Sequence, residues 1–215
     1  SHFNNETPFD NWVFRVMGAA ITGVWIVTLV LTVVISRSAV SDPASRAAIR
    51  LGPAISLYGM AVAFLMATPT ANQLERMQAG RHSPMIGAHS VGVADGGPGL
   101  PLLGWSTTGG DLRIAHFIGL HALQALPLLA IALSVLAARW PALRDEIVRA
   151  RLVRIGAAAY FGLCVLFTWQ ALRGQSIVAP DAITLTAFGV LVSGTALASA
   201  WAVRARSPRR EEVAA

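Results

Sequence analysis

Five stretches of this chain run for 18 to 25 residues without a charged side chain, and that leaves very few folds open to it. They cover residues 16–36, 51–74, 114–138, 155–172 and 182–203. A helix rising 1.5 Å per residue crosses a hydrocarbon core of ~30 Å in roughly 20 residues, so each stretch is long enough to span a bilayer. The apolar runs are continuous and do not alternate with a period of two, which excludes strands of a membrane barrel. A composition of 54% hydrophobic and 13% charged residues agrees with a polytopic membrane protein. The expected fold class is therefore all-α: a polytopic transmembrane helical bundle of five spans.

The net charge of +6 does not point to nucleic acid. All 17 basic residues are Arg, and most lie in short segments beside the spans. Arg37, Arg46 and Arg50 flank the first connection; Arg139, Arg144, Arg149, Arg151 and Arg154 crowd the third; Arg204, Arg206, Arg209 and Arg210 follow the last span. Positive loops stay in the cytoplasm. The first and third connections and the C-terminus are thus expected inside, and the N-terminus, the long second connection and the fourth connection outside. Trp12 and Trp169 would mark the outer interface, Trp140 and Trp201 the inner one. The absence of Lys excludes a Schiff base or Lys nucleophile within the chain. The single Cys164 reads as core packing. One transmembrane domain, residues 1–203, is expected, with an Arg-rich cytoplasmic tail over 204–215.

This topology gathers all five histidines on the outer side. His116 and His121 fall in the first turns of the third span, and an ionisable group at that depth normally faces a protein interior, a cavity or a ligand. Five residues apart, they stand about 140° apart around a helix and ~7.5 Å along it, with Gln124 between them in azimuth. Pro127 is expected to kink the helix beyond them. His2, His82 and His89 lie in outer segments. His116, His121, His89 and His2 are the candidate metal ligands, and Gln124, Trp105 and Arg113 the candidates to hold or orient a cofactor or substrate. Imidazole suits Zn, Cu or Fe, and Met77, His82, Met85 and His89 form a Met/His series of the kind thioether-binding Cu(I) favours. Haem b is a weaker fit, because no other span carries a histidine to face these two. The alternative is that the histidines satisfy loop carbonyls, or Gln170 and Gln175, and pin the long connection to the bundle. No His-Glu-x-x-His pair and no phosphate-binding Gly-rich loop occurs.

The outer connection, about residues 75–113, is too long for a neutral linker. Its run Asp95-Gly-Gly-Pro-Gly-Leu-Pro-Leu-Leu-Gly-Trp105 is apolar enough to dock on the bundle or dip into the outer leaflet. Asp111 is placed to cap the third span. Arg15, Arg113 and Arg173 are positioned for an anion or lipid headgroup at the outer interface.

The segments Ser1-His-Phe-Asn, Thr7-Pro-Phe-Asp and Gly87-Ala-His-Ser-Val-Gly come first. Asp95-Gly-Gly-Pro-Gly-Leu-Pro-Leu-Leu-Gly-Trp-Ser-Thr-Thr-Gly-Gly-Asp-Leu-Arg113 and His116-Phe-Ile-Gly-Leu-His-Ala-Leu-Gln-Ala-Leu-Pro127 follow. Together they resemble a family of bacterial multi-pass membrane proteins of uncharacterised function, over roughly residues 1–127. An outward start at Ser1 leads one to expect either a cleaved signal peptide or an odd number of preceding spans; the resemblance implies a bacterial cytoplasmic membrane and the second of these, a longer precursor with further spans upstream. It names no reaction.

Three functions are open to such a chain. The first is a membrane protein with an outer-face metal or haem centre for redox or metal-dependent chemistry. The second is a non-catalytic subunit whose partners, other subunits or upstream helices, pack on small-residue faces such as Gly18-Ala-Ala with Gly23, or Gly189 through Gly194 with Ala198. The third is a carrier of a lipid or small molecule.

Overall fold

A computed structural model describes residues 3–205. Among these are seven α-helices: α1 (Pro8–Ser36), α2 (Pro43–Ala67), α3 (Ala71–Gln78), α4 (Leu112–Leu120), α5 (Ala122–Leu136), α6 (Glu146–Leu172) and α7 (Ala182–Arg204). A short antiparallel pair, β1 (Ser90–Val91) with β2 (Gly110–Asp111), ties the long connection to the start of α4. Helices α1, α2, α6 and α7 are each long and apolar enough to cross a membrane. Helices α4 and α5, bent by 46° at a one-residue break, pass the same test only as a pair, which is the geometry of a broken span or a re-entrant turn and makes the count four or five. The protein is a multi-pass membrane helical bundle.

The helices begin where their caps tell them to. Thr7 and Asp10 form a capping box ahead of Pro8, so α1 starts eight residues before the apolar run. Asp42, Asp145 and Asp181 each accept a first-turn N–H of α2, α6 and α7. The second span differs from its expected bounds. It starts at Pro43 and ends at Ala67, because Thr68 and Pro69 turn the chain and Thr70 caps the separate amphipathic helix α3 with Gln73.

The centre is a three-helix unit of α2, α4–α5 and α6. Its core is built mostly of small side chains, Ala44, Ala47 and Ala48 from α2, Ala122 and Ala130 from α5, and Ala157 and Cys164 from α6, with Ile55, Leu126 and Val153 among them. Such residues let helix backbones approach closely. The closest approach is where α2 crosses α4. A Cβ on Gly59 would lie 2.6 Å from the Cα of Gly119, so neither position accepts a side chain unless the helices move apart. Helices α1 and α7 sit outside this unit. Helix α1 contains no buried residue and packs on α2, where Trp25 Nε1 donates to the carbonyl of Leu57 at 3.1 Å. Helix α7 packs on α6, where Leu191 lies against Gly162.

The connecting segments sort to two ends of the bundle. At one, here the loop end, residues 3–7, the 68–111 connection and the 173–181 connection interlock. Asn5 N donates to the carbonyl of Pro84, Ile86 N to that of Phe3, and Ser176 Oγ to that of Ser106. Phe3 is buried there with Val62, Met66, Leu112, Ala115 and Ala171. At the other, the arginine end, Arg149 reaches Asp42 at 3.5 Å and Arg151 Nη1 donates to the carbonyl of Ala205 at 2.5 Å.

Candidate functional site

The bent α4–α5 pair carries His116 within α4 and His121 at the break. Helix α4 stops at Leu120, and His121 takes the C-cap position with its N–H on the carbonyls of Phe117 and Ile118. A helix end leaves its last carbonyls without intrahelical partners. Two side chains satisfy them here: His121 Nδ1 donates to Phe117 O at 2.7 Å, and Tyr160 Oη, from α6, donates to Ile118 O at 2.7 Å. The imidazole also stacks on the Phe117 ring, 4.2 Å between centroids. The bend falls at His121 rather than at Pro127, which sits inside an unbroken α5. Its location is fixed from outside the segment: Gly52 and Gly59 of α2 press against Ala122 and Gly119 on either side of it.

His116 lies one turn and a half earlier and turns toward α2. Its Nδ1 donates to Gly59 O at 2.8 Å, beside the Gly59–Gly119 crossing. Carbonyls only accept, so both rings carry their proton on Nδ1 and present Nε2 as the lone-pair nitrogen. Among the described residues Nε2 of neither histidine has a hydrogen-bond partner.

The remaining candidates are spread around the loop end. His89 is half-buried; its Nδ1 meets Asp95 Oδ2 at 3.1 Å, and its ring lies 4.7 Å from that of Phe3. Asp95 also accepts the N–H groups of His89 and Ser90. Burial would raise this carboxyl, but those N–H donors and the nearby imidazole outweigh it and hold it below its ordinary value. His2 lies outside the described residues. Among the described residues no three His, Cys, Asp or Glu side chains come together as a metal-binding group. Of the Met/His series, Met77 and His82 line one small cavity with Asn5, while Met85 packs against the buried cluster around Phe3.

Gln124 is exposed on the first turn of α5, and no hydrogen bond to its side chain is present among the described residues. Trp105 stacks edge-on against Phe117, 5.7 Å between centroids. Arg113 is committed to structure: Nη2 donates to Asp111 Oδ2 and to Gly104 O, both at 2.6 Å. Buried Asp111 caps α4 through the N–H of Arg113 and also accepts the N–H of Ser106. Arg173 is held by Asp181 at 2.5 Å and lies over the Trp169 ring. That pairing, together with the Thr184 N–H, drives the Asp181 carboxyl far below its usual range. Gln170 and Gln175 bond Ser176 and Thr184 rather than either histidine.

A cleft of about 830 Å³ opens between α3 and the long connection, with Asn72, Arg76, Val93, Asp95 and Leu172 on its walls. Its polar groups are largely used by the loop itself, since Gln73 both accepts from Gly87 N–H and donates to Gly87 O.

The sequence reading missed Gly59, Gly119 and Tyr160. The glycines in the runs Leu-Tyr-Gly-Met60 and Phe-Ile-Gly-Leu120 are the local signal, because glycine in an otherwise strong helix costs stability unless another backbone needs the space.

The chain matches no protein-family model, no curated protein and no solved structure.

Proposed function

We propose that this protein is an accessory subunit of a membrane assembly, and that the break between α4 and α5 is where it meets another transmembrane helix. One observation carries this reading: Phe117, His121, Gln124 and Leu128 form an exposed stripe at helical spacing, with two polar side chains in its middle. Hydrocarbon offers Gln124 and His121 Nε2 no partner, whereas a neighbouring helix with a polar group does. That helix comes from another subunit or from upstream in a longer precursor. The Arg-rich end faces the cytoplasm and the loop end faces outward across a bacterial inner membrane; the charge distribution supports the orientation and the motif resemblance supports the bacterial membrane.

Placing a photo-crosslinking residue at Leu128 in native membranes tests the reading. A defined protein adduct that weakens with Gln124→Leu is expected. Lipid adducts alone, unchanged by Gln124→Leu and His121→Leu, would overturn it.

A second reading uses the same face. Ligating histidines commonly donate Nδ1–H to a backbone carbonyl, which fixes the ring and leaves Nε2 for the metal. His116 and His121 both have that arrangement, and this favours a His-ligated Cu, Zn or Fe centre, or less readily haem b, completed by groups from outside residues 3–205. An absorbance spectrum and elemental analysis on protein purified from its native membrane separate the two. A Soret band or near-stoichiometric metal, lost on His121→Ala in folded protein, supports the centre. Colourless, metal-free protein removes it.

A further inference from the structure

The segment between Pro98 and Thr107 is a closed hairpin. Leu100 N donates to Trp105 O at 2.8 Å, Thr107 N donates to Pro98 O at 3.0 Å, and Gly99 pairs with Ser106. Its tip is Pro101-Leu102-Leu103. Leu102 is fully exposed, Leu103 is half exposed, and Leu102 is held at φ +67°, alone among the described non-glycine residues in having a positive φ. A leucine in that conformation is strained, and glycine would relieve it at no cost to the turn. An apolar side chain kept in a strained tip and shown wholly to the surroundings has no account inside the molecule.

The hairpin's course supplies one. Ser106 is bound at the very start of α4, through its N–H on Asp111 Oδ2. The next residue back, Trp105, packs on Phe117, five residues or ~7.5 Å further along the helix axis. The base of the hairpin therefore lies against the first turns of α4: Trp105 reaches Phe117 with its ring, and Arg113, in the first turn, holds Gly104 O. Leu102 and Leu103 project exposed from that base, which packs on a helix pair apolar enough to cross a bilayer.

We infer that the 98–107 hairpin is a leaflet anchor: it inserts Leu102 and Leu103 among the acyl chains of the leaflet on the loop side, with Trp105 at its base. The strained turn points the leucine outward, and the gain from burying it in lipid offsets the strain. The anchor does not depend on what binds the α4–α5 stripe, although Trp105 meets one edge of Phe117.

Fluorophore labels test this on Leu102→Cys and, separately, Leu103→Cys, in protein reconstituted into phosphatidylcholine nanodiscs. Cys164 is buried, and a Cys164→Ala background removes residual labelling. Arg81→Cys, on the exposed segment after α3, reports the aqueous environment. The expected result is emission shifted to the blue of the Arg81 label, with quenching by shallow doxyl-labelled lipids several-fold stronger than by iodide. Strong iodide quenching at both leucine positions would overturn the anchor. Protection from both quenchers would overturn it too, since the tip would then be covered by protein. Agreement of the two leucine positions guards against a distortion caused by either substitution.

Discussion

The two ends of the bundle are built to different standards. At the loop end, three segments distant in sequence share hydrogen bonds, Phe3 plugs a buried cluster, and Asp111, Asp95 and Gln73 each satisfy several backbone groups. At the arginine end, the connections are short turns held by Arg149 and Arg151, and Arg149 Nε has no hydrogen-bond partner. Loops that need only join helices can be left loose and charged. A loop layer that cross-links the N-terminal segment, α4 and α6 fixes the start of α4 at Asp111, ten residues before the α4–α5 break.

The contrast can be broken at chosen points. Gly119→Leu should have the largest effect, since the new side chain meets the backbone of α2; a loss of about 3 kcal/mol or more is expected from such overpacking at a backbone crossing. Thermal unfolding in detergent measures it, and wild-type stability would mean the crossing is not where the structure has it. Asp111→Ala follows, at about 2–3 kcal/mol, because it removes a helix cap and leaves the Arg113 guanidinium without its partner. His116→Ala should cost about 1 kcal/mol through the lost bond to Gly59, with α4 still formed. If His116→Ala instead leaves stability unchanged, the ring is held for a ligand and not for the fold.

Asp95→Asn sharpens the comparison through pH. The folded carboxyl sits below the ordinary 3.8, so its stabilisation is fully present above that value and disappears as pH falls through the folded value. The difference in melting temperature between wild type and Asp95→Asn should therefore be present at neutral pH and close only in acid below pH 3.8. A gap that persists there would mean the charge is not what matters. The smallest effect belongs to the other end: Asp42→Asn loosens a 3.5 Å, partly exposed pair with Arg149 and keeps a capping side chain, so a change within about 1 kcal/mol is expected.

How much of this was legible depended on whether the cause was local. The long apolar helices were readable because hydropathy alone sets them. The start of α1 was readable in principle too, in Thr7-Pro8 with Asp10, as was α3 in the Thr70-x-x-Gln73 box; both are short polar signals that a search for apolar runs passes over. The Asp111 cap was legible for the same reason. The break at His121 was not, since Gly119 just before it is a weak signal by itself and the contacts at the break come from Gly52 and Gly59, more than 60 residues earlier. The histidines were recognisable as unusual, but not the direction each ring takes: His116 turns to α2, His121 caps its own broken helix, and His89 joins Asp95. A Cβ at Gly18, Gly23, Gly189 or Gly194 would meet nothing outside its own helix within 4 Å, so the small-residue faces singled out for a partner in α1 and α7 are unused within the described residues, while the tight crossing inside the bundle is made by Gly59 and Gly119.

The sparse burial of α1 and α7 bears on how the molecule is made. A span that needs no neighbour to satisfy its side chains can leave the translocon alone and wait in lipid. Helix α1, without a charge from Val16 to Ser36, can do so, and so can α7, without one from Ala182 to Val203. The α4–α5 segment cannot: it carries two imidazoles, a glutamine and a broken backbone, and two of its polar groups are met from other helices, His116 by Gly59 of α2, synthesised before it, and Ile118 O by Tyr160 of α6, synthesised after. Its integration is therefore the step that must wait for the next helix, and a nascent chain paused before Tyr160 should be the form most readily recognised by quality control.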